Sequence, residues 1–172
     1  MTLEEKYNLI YENGKRYYVL DMTKNIPVLD NAVPYYFRYK DIEIYESSWN
    51  KMTIKILNAI DENNPKSIEN LLSNKYYWSK QDVFSITKKT NYTKFKGLYL
   101  NTNHTSTHAM MSIQCLLRVY DIELTECYFL VRKYHSSEPI EIKEYFKSKT
   151  INGFSIMLKI KGLATNELLL VK

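Results

Sequence analysis

The strongest constraint on what this chain can fold into is one amphipathic helix set between two strand patterns. Behind Thr105 or Ser106 as N-cap, Ala109, Ile113, Leu116, Leu117 and Tyr120 recur at i, i+4, i+7, i+8 and i+11 and line a single apolar face. The residues before it, KFKGLYLN (94–101), read as a strand, and those after it, ECYFLVRKY (126–134), as another. Upstream, Trp49, Met52, Ile56, Leu57 and Ile60 keep helical spacing behind Ser47 or Ser48, and DENNP (61–65) closes that helix. Asn64 and Pro65 then offer a cap and first turn for a short helix burying Ile68, Leu71 and Leu72. Residues 46–134 are therefore expected to form a helix–helix–strand–helix–strand unit.

Around this unit the pattern is mostly β. GKRYYVLD (14–21) reads as a short strand and YYFRYKDIEIY (35–45) as a longer one, with Pro27 and Pro34 between them. Residues 74–94 lack a clear period and read as a long loop with a short strand near VFSI (83–86). Ser137 and Pro139 suggest a further helix through Phe146, and GFSIMLKIK (153–161) with NELLLV (166–171) a closing hairpin. The expected architecture is α+β: a mixed β-sheet with three to four helices mainly on one face. Residues 1–172 are read as a single domain comprising an N-terminal β segment (1–45), the central unit (46–134) and a C-terminal helix and hairpin (135–172). The apolar end of the chain is also compatible with continuation into a longer parent protein.

Composition narrows the function classes. No apolar run approaches the length of a membrane span, and the acidic start lacks a basic-then-apolar leader, so a cytoplasmic protein is expected. Cys115 and Cys127 belong to no CxxC and lie in apolar surroundings, which favours two buried thiols over a disulfide. No phosphate-cradling glycine motif is present, and no cofactor is expected. Twenty lysines against four arginines, with abundant Asn, Ile and Tyr, reflect AT-rich coding. Charge is uneven: residues 75–96 carry six lysines and only Asp82, whereas residues 1–74 carry nine basic and eleven acidic side chains. A local patch of this kind says more about partners than the net charge of +5.

That basic segment is interleaved with rings, which makes it the leading candidate site. Lys75, Lys80, Lys88, Lys89, Lys94 and Lys96 suit phosphates, while Tyr77, Trp78 and Tyr92, with Tyr76 and Phe84 nearby, suit stacking on bases. The competing reading is that the rings are core and the lysines a solvated face. Few arginines argue against reading base edges, since the bidentate fork to guanine favours Arg. Asn103, Thr105 and Ser106 form a second candidate, an anion site at the helix start; supplying oxygens for the turn and cap is the simpler role. His104, His108 and Cys115 lack a fourth ligand, so no metal site is assigned. Glu141 and Lys143, with Asp121 or Glu123 upstream, outline a metal-dependent nuclease pattern, although Ser137-Glu138-Pro139 places Lys143 on a helix where that chemistry needs a strand. No catalytic residue is assigned. Trp49 sits at core spacing, and Trp78 is the ring better suited to a partner.

The stretch from Ser47 to Lys133 also resembles an uncharacterised bacterial module found in GmrSD-like restriction and anti-phage proteins. The resemblance rests on Trp49 opening a helix, a Leu-rich second helix, an aromatic loop, the strand Gly97-Leu98-Tyr99-Leu100-Asn101-Thr102-Asn103, and a Ser/Thr-capped helix ending in Leu116-Leu117. It covers about half the chain and implies a genomic neighbourhood, with no catalytic residues. The expected function is a non-enzymatic module of a bacterial defence or mobile-element system, contacting DNA or RNA largely without sequence specificity. The alternatives are a protein-interaction or phage-encoded inhibitor module and a metal-dependent nuclease fragment.

Overall fold

The computed structural model describes residues 8–12, 15–26, 29 and 32–133. Eight strands and three α-helices follow one another along them. Strands β1 (Asn8–Glu12), β2 (Lys15–Leu20), β3 (Ala32–Tyr39) and β4 (Ile42–Tyr45) lead into helices α1 (Trp49–Asn63) and α2 (Ile68–Leu72). Strands β5 (Phe84–Ser85), β6 (Tyr92–Phe95) and β7 (Leu98–Asn101), helix α3 (Ser106–Val119) and strand β8 (Cys127–Lys133) follow. The class is α+β, as the sequence suggested. The expected helix from Ser137 and the closing hairpin lie outside the described residues, as do Glu141 and Lys143.

The strands divide between two sheets, one five-stranded in the order β1-β2-β8-β3-β4 and one three-stranded in the order β5-β7-β6. Every pairing named in them is antiparallel, where a single mixed sheet was expected. The reason is that two of the expected strands are hairpins. Residues 94–101 reverse at Lys96-Gly97, whose φ angles of 50° and 82° are both positive. That is the condition for a two-residue type I′ turn, and glycine meets it without steric cost. Residues 35–45 reverse likewise at Lys40-Asp41, with Lys40 at φ 51°. Connections this short permit only antiparallel neighbours.

One apolar core joins the inner faces of both sheets to the helices. Tyr18, Phe37, Phe129 and Val131 of the large sheet, Phe84, Phe95, Leu98 and Leu100 of the small one, and Met52, Ile56, Ile60, Ile113 and Leu117 of the helices belong to it. Trp49 stacks on Phe129 at 5.9 Å and donates from its indole nitrogen to the carbonyl of Ala32 at 3.0 Å, so its expected structural role holds. The same carbonyl accepts from the Ser106 hydroxyl at 2.9 Å, which anchors the start of α3 beside β3. Helix α3 ends in a Schellman motif: Ile122 N–H donates to Leu117, Asp121 N–H donates to Arg118, and Asp121 takes the left-handed φ of 56°. Helix α2 departs from expectation. Ser67 caps it in place of Asn64, accepting from Asn70 N–H, and Ile68 is 45% exposed instead of buried.

The opposite face of the large sheet is lined with tyrosines. A register shift between Pro34 and Tyr36 inserts Tyr35 as an extra residue, so Tyr35 and Tyr36 both pack with Tyr17 and Leu130. Tyr36 is fully buried, lies 4.7 Å from the Tyr45 ring and donates to Glu43 at 2.8 Å. Burial, followed by that carboxylate, pushes the Tyr36 hydroxyl pKa well above the ordinary tyrosine value.

Candidate functional site

The nine residues expected to meet a partner are distributed over three places. Lys75 and Lys80 lie on an ordered reversal of residues 74–83. Val83 N–H donates to Asn74, Tyr76 N–H donates to Gln81, and Lys75 bridges Asp82, which makes a hairpin-like arm where a loop was expected. The tip of this arm carries Tyr76, Tyr77 and Trp78 against α3. Lys89, Tyr92 and Lys94 lie around the β6–β7 hairpin, with Lys88 next to them. Lys96 is engaged elsewhere: its ammonium contacts Asp61 at 3.0 Å and the carbonyl of Lys66 at 2.8 Å.

Asp61 is what holds the hairpin tip in place. Its Oδ1 also accepts from the Tyr120 hydroxyl at 2.7 Å and from the Lys66 amide at 3.1 Å, so one carboxylate joins α1, the approach to α2, the C-cap of α3 and the small sheet. Burial works to raise its pKa, but the bonds from Tyr120, Lys96 and Lys66 outweigh it and hold the carboxyl below the usual value. Nearby, Lys66 pairs with Asp121 at 2.6 Å, so the aspartate of the nuclease pattern serves as a helix C-terminal residue with a cationic partner.

The arm's rings form a network with α3. Tyr76 lies 4.4 Å from Trp78, Trp78 lies parallel to His108 at 6.1 Å, and Tyr77 meets Trp78 edge-on at 4.9 Å. The Arg118 guanidinium sits 4.8 Å over the Tyr77 ring. Gln114, fully buried, fixes the tip: its oxygen accepts from Tyr77 at 2.6 Å while its nitrogen donates to the carbonyls of Met22 and Lys24. The Tyr76 hydroxyl donates to Asn101 at 3.2 Å and lies 3.4 Å from His104 Nε2. Desolvation, reinforced by neighbouring His108, lowers the His104 pKa, so the neutral ring is favoured.

The small sheet presents a different surface. Its inward residues Phe84, Phe95, Leu98 and Leu100 are buried, so by alternation Tyr92, Lys94, Tyr99 and Asn101 point outward. Lys94 pairs directly with Tyr99, and Tyr92 with Asn101. The Lys89 ammonium lies 5.6 Å over the Tyr92 ring. From Val83 to Tyr120 the chain contains no Asp or Glu, so none of these residues brings a carboxylate to this face. Tyr99 and Gln114 escape the sequence reading. The Lys96-Gly97 turn signal identifies Tyr99 once its register is followed, whereas nothing local marks a buried glutamine.

At the start of α3, Thr105 is the N-cap and accepts from His108 N–H, Ser106 is bonded to Ala32, and Asn103 N–H donates to the Asn101 side chain. Thr105 and the Asn101 side chain thus supply oxygens to the cap and turn, whereas Asn103 enters through its backbone N–H and the Ser106 hydroxyl donates to β3. Cys115 and Cys127 are free and buried; burial raises both thiols, Cys127 to about 12, which leaves them un-ionised and inert. Cys115 faces the Lys75 carbonyl at 3.8 Å. Among the described residues, no group of three His, Cys, Asp or Glu side chains is placed to hold a metal, and no helix is long and apolar enough to cross a membrane. No protein-family model, no curated protein and no solved structure matches this chain.

Proposed function

We propose that this chain is a non-enzymatic module that binds nucleic acid with little regard to sequence, within a bacterial defence or mobile-element system. The observation that carries the reading is the outer face of β6–β7, where Tyr92 and Tyr99 alternate with Lys94, beside exposed Lys88 and Lys89, in a carboxylate-free stretch. Lysines neutralise phosphates and rings stack on bases, and neither contact depends strongly on which base is present. The defence setting rests on the resemblance to modules of GmrSD-like proteins.

The test is titration of labelled single- and double-stranded DNA and RNA at low and at physiological salt. Binding in the micromolar range or tighter, weakened by Lys88→Ala, Lys89→Ala and Lys94→Ala together, is the expected result. Failure of every polymer to bind at low salt removes the reading. A protein partner is the alternative occupant, favoured by Ile86, which is 70% exposed at the end of β5.

A further inference from the structure

If the β6–β7 face binds nucleic acid, its geometry also discriminates between polymers. On the strength of that reading, we infer that its ligand is a single strand and that Tyr92 and Tyr99 are the rings on which its bases stack. The two are diagonal neighbours on adjacent strands, about 7 Å apart at their bases. Neither belongs to the ring network of Tyr76, Tyr77, Trp78, His104 and His108. An exposed Lys89 side chain lies over Tyr92, and a surface lysine is displaced at small cost. Trp78 is a poorer platform, because Tyr76 packs on it and His108 lies parallel to it. Tyr77 is held by Gln114 and carries Arg118 over its ring.

Duplex recognition has no equivalent support. A paired helix hides the faces of its bases, so Tyr92 and Tyr99 have nothing to stack on. A two-stranded ribbon can enter a major groove, but the tip of this one is tied through Lys96 to Asp61 and Lys66. Helix α3 is no reading head either, since Ala109, Met110 and Ser112–Leu117 are buried. Duplex would meet only the lysines. The single strand's path extends past Asn101, where the Tyr76 hydroxyl joins the sheet to the arm, towards the exposed His108 edge.

The experiment is fluorescence anisotropy with labelled oligothymidine, oligouridine and a mixed-sequence duplex, using the full chain and its Tyr92→Ala, Tyr99→Ala, Tyr92→Phe and Tyr99→Phe variants. Each lost ring should weaken single-strand binding roughly 5- to 150-fold while leaving duplex binding unchanged. The phenylalanine variants, which keep the ring, should bind like the parent, and the unchanged duplex binding of the alanine variants excludes misfolding as the cause. Oligothymidine against oligouridine decides between DNA and RNA as the source of the strand. Equal affinity for duplex, or alanine variants that bind single strands normally, overturns this inference and leaves the nucleic-acid reading standing. No binding to any of the three overturns both.

Discussion

The two sheets use tyrosine in opposite ways. On the outer face of the large sheet, Tyr17, Tyr35, Tyr36 and Tyr45 contact one another, and Tyr36 is capped by Glu43. On the outer face of the small sheet, Tyr92 and Tyr99 stand beside lysines with no acid among them. The same residue type in the same secondary structure is cement in one place and, by our proposal, a platform in the other. Burial and neighbouring charge separate the two roles; composition does not.

The largest expected effect tests the cement. Tyr36→Ala should cost about 3–5 kcal/mol of stability in chemical denaturation, as for other large buried rings, whereas Tyr99→Ala should cost below about 1 kcal/mol. Equal costs at the two positions would erase the contrast. Next comes the clamp that supports the platform. Asp61→Ala removes the bonds from Tyr120, Lys66 and Lys96 and should cost about 2–3 kcal/mol. Because the Asp61 pKa is lowered on folding, its stabilisation is present above the unfolded value near 3.8 and is lost as pH falls through the folded one. Acid titration of the variant should therefore lack that component.

A smaller effect belongs to the turn that sets the platform's register. Gly97→Ala places a side chain at φ 82° with open space around it, so the cost is backbone strain alone, about 1 kcal/mol. A neutral result would mean that the hairpin does not need its left-handed turn. The smallest expected effect lies at the joint between arm and sheet. His104 has a depressed pKa, so its contribution is present above the ordinary value of 6.5 and fades as pH falls below it. His104→Gln should flatten the melting temperature over that acidic interval, and an unchanged profile would place the pH sensitivity elsewhere.

How far these regions are legible in the sequence depends on how local their causes are. Helix α3 is readable because its cap, periodicity and C-terminal stop all lie within the segment. The two hairpins are not, because Lys96-Gly97 and Lys40-Asp41 sit inside runs whose apolar alternation continues across the turn, and Tyr99 is hidden with them. Lys96 reads as a ligand from sequence alone; Asp61 is 35 residues away and is brought to it only by the tertiary fold. Ser67 replaces Asn64 as the cap of α2 because Lys66 N–H donates to Asp61, which holds the preceding residues out of the helix.

The Lys96–Asp61 pair has a further consequence for the thermodynamics of binding. A lysine already paired with a carboxylate is not free to neutralise a phosphate, so Lys96 displaces no condensed cation from a docking polyanion and adds nothing to the entropy released. With Lys88, Lys89 and Lys94 as the remaining cations among the described residues of this face, the logarithmic dependence of affinity on ionic strength should have a slope of only about −2 for a single strand. Halving the electrolyte concentration should then tighten binding roughly fourfold, and most of the affinity that survives in concentrated electrolyte should come from the rings.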